Sequence, residues 1–278
     1  MNSIIYVAIA AILFVAAGVF FVLATKARGR AEDARVLADL EAKKVLETAK
    51  LQAEAEVRKA QASAQKAGKV VAEAFMYRHH PQTLRVKEIV EKGLLGDLQF
   101  LRGSFSFFLN RSEDVRLMDD LWGGSIWDVG CYPINFIRYL AGCDPEEVFG
   151  WQVEGDTGVD MLFAGQMRFP GGILAQMDSG FRSPLRREVE VTGTEGSLLI
   201  QEPFKPGLKE VLLLRRGKDV EEIRVRGEEL YLGEVEDMED AVLKGTPSRV
   251  SLADSRGNVA TILALIESAN TGRPVQLR

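Results

Sequence analysis

Residues Gly123–Asn135 read GGSIWDVGCYPIN. Two glycines lead into an apolar run, and residues 124–140 are predicted to form a mostly apolar helix. Asp128 and Tyr132 stand four positions apart, so one face of that helix carries both. An acid beside a phenol suits proton transfer to or from a substrate hydroxyl. Working outward, residues 98–109 (LQFLRGSFSFFL) read as a long strand. Residues 81–96 (PQTLRVKEIVEKGLLG) read as a helix with Leu84, Ile89, Val90 and Leu94 inward, ended by glycine. Val70–Tyr77 reads as a buried strand. Beyond the central helix, residues 147–225 form many short β-rich runs separated by turn signals such as FPGG, TGTEG and RRGKD. Two helices close the chain, the last with Val259, Ile262, Leu263 and Ile266 at helical spacing. Helices at both ends of a run of strands predict an α+β domain over residues 69–278. Its sheet should be large, mainly antiparallel and open-faced, with helices on one face. The other face should be apolar enough to pair with a second copy of the chain.

The chain has 278 residues and a net charge of −5. That balance argues against a nucleic-acid-binding protein, which would present a basic patch. The two cysteines, Cys131 and Cys143, form neither a disulfide framework nor a zinc-finger spacing; both are expected to be buried as small apolar residues. The only histidines, His79 and His80, are adjacent. They do not make a metal site, and a His-rich hydrolase core is excluded.

Residues 4–24 run for 21 positions without a charge. At ~1.5 Å per residue this spans about 30 Å, the thickness of a bilayer's hydrocarbon core. The alternative, a cleaved signal peptide, needs a basic leading region, but MNS carries none. Lys26, Arg28 and Arg30 follow the run instead, which orients the amino terminus outward and the rest toward the cytoplasm. Residues 1–25 are therefore expected to be a single-pass membrane anchor. Residues 26–68 lack proline and are rich in Ala, Glu, Lys, Gln and Arg, a helix-favouring composition. Asp39/Lys43 and Glu54/Arg58 add supportive pairs. Small and apolar residues from Ala42 to Ala67 recur in steps of three and four. The seam is mostly alanine, so the segment reads either as a stalk forming a weak coiled coil or as a solvated single helix.

Two resemblances follow from these stretches. The anchor and charged helix resemble the start of ribonuclease Y. From Val70 onward the chain resembles the carboxy-terminal domain of the glucose-fructose oxidoreductase / inositol dehydrogenase / rhizopine catabolism (Gfo/Idh/MocA) family. The resemblance is carried by EAFMYRHHPQ, VRLMDDLWGGSIWDVGCYPINFIRYLAG, VTGTEGSL and ALIESANTGRPVQL, over about three-quarters of the chain. Within the family it is most similar to dihydrodiol and NADP-dependent xylose dehydrogenases. The resemblance implies catalytic roles for Asp128 and Tyr132. It implies that Arg78, His80, Gln82, Arg116 and Trp122 border substrate. It implies NAD or NADP as cofactor, bound by an amino-terminal Rossmann domain, and a lysine near the tyrosine from an EKP motif. Neither that motif ahead of Val70 nor any GxGxxG stands in this sequence.

The sequence thus predicts the substrate-binding and dimerisation half of an NAD(P)-dependent sugar or diol oxidoreductase, without its own cofactor site and inactive alone. A separate Rossmann-containing subunit would complete it. The alternatives are a membrane-tethered binding or oligomerisation module that has lost the chemistry, and a chimeric reading frame joined near Lys69.

Overall fold

The computed structural model describes Ala55, Lys59, Ala62, Ser63 and residues 66–277 other than Ser112. The expected anchor over residues 4–24 and most of the expected stalk lie outside the described residues. The stalk positions that are described, from Ala55 to Ala67, are helical. Among the described residues no helix is long and apolar enough to cross a membrane.

The sheet has nine strands: β1 (Leu98–Phe108), β2 (Glu147–Glu154), β3 (Asp160–Arg168), β4 (Leu174–Gly180), β5 (Arg182–Gly193), β6 (Ser197–Ile200), β7 (Lys209–Arg216), β8 (Asp219–Arg226) and β9 (Val275–Gln276). Their order is β8-β7-β6-β5-β1-β4-β3-β2-β9. Two antiparallel meanders, β2–β4 and β5–β8, flank β1, which pairs antiparallel with β5 and parallel with β4. The sheet is therefore mixed, with one parallel pair. Phe181, the single residue between β4 and β5, rounds the end of β1, and its carbonyl accepts the Leu109 N–H at 2.9 Å.

Among the described residues after Gly68, four α-helices accompany the sheet: α1 (Pro81–Glu91), α2 (Cys131–Ala141), α3 (Leu232–Leu243) and α4 (Leu252–Thr271). Leu101 and Phe105 of β1, Phe163 and Met167 of β3, and Val189 and Val191 of β5 alternate onto one face and enter a single core. Close helix crossings need glycine there. A Cβ on Gly103 would stand 2.7 Å from Pro133 Cβ of α2, and one on Gly150 would stand 2.8 Å from the Leu265 carbonyl of α4.

Several sequence expectations are corrected. Val70–Tyr77 is not a strand. Residues 69–75 carry no regular structure, and a 3-10 turn follows at Met76–His79. The run has strand-like composition, but no described strand pairs with it, and an unpaired strand leaves its backbone groups unsatisfied. Ile89, Val90 and Leu94 pack against the core as expected, joined by Gln82, Thr83 and Val86, whereas Leu84 is exposed. The helix over 124–140 opens with a π-turn, Ile126–Gly130. Pro133 offers no N–H to the Val129 carbonyl, and the widened turn precedes it. Cys131 is half-buried and Cys143 exposed. The outer sheet face is polar at its centre: Arg102 pairs with Glu188 at 3.3 Å and Glu190 at 3.7 Å, and Arg186 pairs with Asp178. Its apolar side chains are spread across the strands and include Leu174 of β4 and, on β2, Phe149 and Trp151, whose rings lie 4.3 Å apart.

Candidate substrate cleft

The end of β1 opens into a cleft of about 520 Å3. Its apolar wall comes from Phe105, Phe107 and Phe108 of β1, Val129 and Tyr132 of the central helix, and Leu185 of β5. Its polar wall comes from Arg111, Asp114, Arg116, Asp128, Arg187 and Lys205. Three sequence-predicted residues, Arg116, Asp128 and Tyr132, thus meet in one cavity.

The helix that carries Asp128 is held at its start. Asp160 Oδ2 accepts the Ile126 N–H at 3.0 Å and the Ser125 hydroxyl at 2.5 Å. Gly124 has φ 111°, and a Cβ there would collide with Asp160 Oδ1. The carboxylate satisfies donors at the helix start that would otherwise be orphaned. Burial pushes the Asp160 carboxyl up to about 6, although the Ser125 and Ile126 hydrogen bonds pull it down.

Asp128 accepts from Arg116 Nε at 2.8 Å, and Arg116 NH1 donates to Asp114 at 3.1 Å. Arg116 therefore ties the loop before the helix to the acid. Burial raises the Asp128 pKa, opposed by Arg116 and by the charge of Lys205. The Tyr132 ring sits among Phe75, Tyr77, Phe105 and Phe204, with centroids 5.5–5.8 Å away. Burial first, then Cys131 and Asp128, push its phenol up to about 12. It is a neutral hydrogen-bond donor across the ordinary pH range.

The other predicted residues do not line the cleft. Arg78 is buried; NH1 donates to Asn135 Oδ1 at 2.8 Å and pairs with Asp254 at 2.7 Å, and its guanidinium lies 3.8 Å over the Tyr139 ring. Asn135 also accepts the Tyr77 hydroxyl at 2.7 Å, and Arg138 NH1 reaches the same Asp254 at 3.0 Å. His80 caps α1: its Nδ1 accepts the Gln82 N–H at 3.1 Å, so its Nε2 carries the proton and can donate to the Gly207 backbone. Gln82 Nε2 donates to the Glu202 carbonyl at 2.9 Å. His80 and Gln82 thereby brace the segment that carries Phe204 and Lys205. Trp122 is exposed, has left-handed backbone with φ 58°, and meets Trp127 edge-on at 5.5 Å.

Sequence reasoning missed Arg187 and Lys205. Arg187 stands opposite Phe105 across the β1–β5 ladder, on the helix side of the sheet. Lys205 follows Phe204 in a loop after β6. The PFKPG turn was the only local signal for it, and a turn lysine alone does not announce a site.

No group of three or more His, Cys, Asp or Glu among the described residues could hold a metal ion. A nicotinamide dinucleotide needs a glycine-rich turn and a free helix amino terminus for its pyrophosphate. The Gly123–Gly124 pair does precede a helix, but Asp160 already occupies its first amides. That start therefore does not fit the group, and no other described helix opens on a glycine-rich turn.

The fold is thus a mixed open sheet with helices packed against one face and an acid–phenol cleft at a strand end. Residues 83–199 match the GFO/IDH/MocA C-terminal domain. The NADP-dependent D-xylose 1-dehydrogenase 2 of Haloferax volcanii is 35% identical over 216 residues, covering 76% of this chain and 66% of that protein. The trans-1,2-dihydrobenzene-1,2-diol dehydrogenase of Mus musculus is 31% identical over 156 residues, covering 55% and 46%. Among solved structures, an aldose-aldose oxidoreductase from Caulobacter crescentus superposes with a TM-score of 0.75 at 23% identity, covering 80% of this chain and 68% of that one. A 3-ketoreductase from Actinomadura kijaniata, in complex with NADP and TDP-benzene, gives 0.72 at 25% identity, covering 76% and 66%. The chain spans slightly under two thirds of the length of the curated relatives it matches first.

Proposed function

We propose that the described domain is the substrate-binding half of an NADP-linked oxidoreductase acting on a hydroxyl or carbonyl carbon of a sugar or diol. One observation carries this reading: Asp128, Tyr132 and Arg116 converge on one half-aromatic cleft at the end of β1. In such chemistry the nicotinamide gives or takes the hydride. The residues of this chain supply the rest. The neutral Tyr132 phenol donates a hydrogen bond to the reacting oxygen, which suits carbonyl reduction. Asp128, held by Arg116, accepts from a neighbouring substrate hydroxyl and fixes its orientation. The aromatic wall covers the carbon skeleton and keeps water from it.

On this reading the cofactor site lies outside the described residues, in a Rossmann-containing subunit or segment, and the domain is inactive without it. A membrane anchor at residues 4–24 would hold the domain on the cytoplasmic side. Self-association would use the apolar β2 flank around Phe149, Trp151 and Val153. The second reading, a non-catalytic binding module, draws on the Asp160 cap that fills the Gly123–Gly124 helix start. Calorimetric titration with NADP and with NAD, then an absorbance assay at the reduced-nicotinamide band with aldoses and diols, separates the two. The proposal expects aldose or diol binding that Tyr132→Phe weakens about tenfold, no cofactor binding by the described domain, and turnover only when a dinucleotide-binding subunit is added. Binding of NADP to residues 69–278 alone, or aldose affinity indifferent to Tyr132→Phe, would overturn it.

A further inference from the structure

The cleft wall carries four cationic side chains, Arg111, Arg116, Arg187 and Lys205, against two acids, Asp114 and Asp128. The excess runs against the chain as a whole, whose net charge is −5. Both acids are engaged by one arginine, Arg116. Among the described residues Arg187 pairs only with Glu202, at 2.9 Å, and its Nε–H is buried without an acceptor. A guanidinium offers five donors in a planar fork, so Arg187 retains unused capacity. Among the described residues Lys205 makes no ion pair, and it lines the same cleft as Asp128. Both line the cleft that the phenol faces. Arg187 is the cross-strand partner of Phe105, whose ring lies 5.5 Å from Tyr132, and Lys205 adjoins Phe204, whose ring lies 5.7 Å from Tyr132.

Neutral sugars need donors and acceptors but no cationic excess. Cations whose charge the protein leaves unmatched raise the local concentration of anions, and arginine's fork matches a phosphate. We infer that the ligand of this cleft carries a phosphate-type oxyanion, held by Arg187 and Lys205 beside the hydroxyl or carbonyl that Tyr132 addresses. This inference rests on the sugar or diol reading and narrows it to phosphorylated substrates. The same chemistry could come from a phosphate of the dinucleotide, and the test separates the sources.

The test is calorimetry on the full chain with glucose, glucose 6-phosphate, inorganic phosphate and NADP, at low and high salt. The expected result is binding of glucose 6-phosphate at least about tenfold tighter than glucose, with inorganic phosphate competing and salt eroding the difference. Lys205→Gln should collapse that ratio toward one, and Lys205→Arg should keep it. Lys205 is exposed, so neither change threatens folding. Equal affinity for glucose and glucose 6-phosphate overturns the inference and leaves the polyol reading standing. Binding of neither sugar overturns both. NADP binding that Lys205→Gln abolishes, without a glucose 6-phosphate preference, assigns the cations to the cofactor and also overturns it.

Discussion

Two constellations in this domain use the same side chains to opposite ends. Around α2 and α4, Arg78, Arg138, Asp254 and Asn135 are buried or nearly so, and each charge meets a partner. In the cleft, Arg116, Arg187, Lys205, Asp128 and Tyr132 are half-open, and cations outnumber acids. An arginine–aspartate pair alone does not mark a site. What separates the regions is whether donors are spent inside the fold or left facing a cavity. The first region fixes helices to one another. The second keeps capacity for something the protein does not contain.

The largest expected effect breaks the buried side of this contrast. Arg78→Ala leaves Asn135 and Asp254 short of a donor and should cost about 3 kcal/mol or more, read by denaturant unfolding. A cost under ~1 kcal/mol would mean the network is not structural. Asp160 comes next, through pH. Its carboxyl is pushed up to about 6, so the folded state favours the protonated form. Its contribution is full below about pH 4 and is lost as pH rises through about 6, amounting to about 3 kcal/mol. Comparing unfolding of the protein and Asp160→Asn across that window should show the dependence weakened in the variant.

Smaller effects are expected in the cleft. Tyr132→Phe keeps every ring contact and should change stability by less than about 1 kcal/mol while impairing ligand binding. Arg116→Gln removes the chief influence lowering the Asp128 pKa. The Asp128 carboxyl should then titrate at higher pH, which carboxyl-selective NMR can follow; an unmoved or lower value would show that the 2.8 Å pair does not persist in solution. The least effect is expected at Trp122, which lies outside the cleft lining. Trp122→Gly should alter stability by less than ~1 kcal/mol, because relief of its left-handed backbone offsets the lost ring contact, and ligand affinity should not move.

Local pattern carried the sequence reading far. The strand-like run 98–109, turn signals through 147–225 and the helical spacing of Val259, Ile262, Leu263 and Ile266 are short-range features, and each falls in an element of the expected type. The parallel β1–β4 pair was not legible, because it joins Phe100 to Leu174 and nothing in either strand names the other. Val70–Tyr77 was misread because strand composition says nothing of whether a neighbour exists. In the cleft, Asp128 and Tyr132 were legible from their spacing and family resemblance. Arg187 and Lys205 were not, since only folding brings β5 and the loop after β6 around a phenol on the central helix. Arg78, His80 and Gln82 were read as bordering substrate. In the structure they satisfy buried partners, and the sequence does not distinguish those uses.

The most direct test is tyrosine-selective NMR with and without saturating aldose. Tyr77 is fully buried and bonded to Asn135, and Tyr132 faces the cleft, with the two ring centroids 5.8 Å apart. The account predicts a shift of the Tyr132 hydroxyl-bearing carbon on ligand addition, with Tyr77 and Tyr139 nearly still. A shift at Tyr77 or Tyr139 with Tyr132 unmoved would place binding in the buried network and contradict the account.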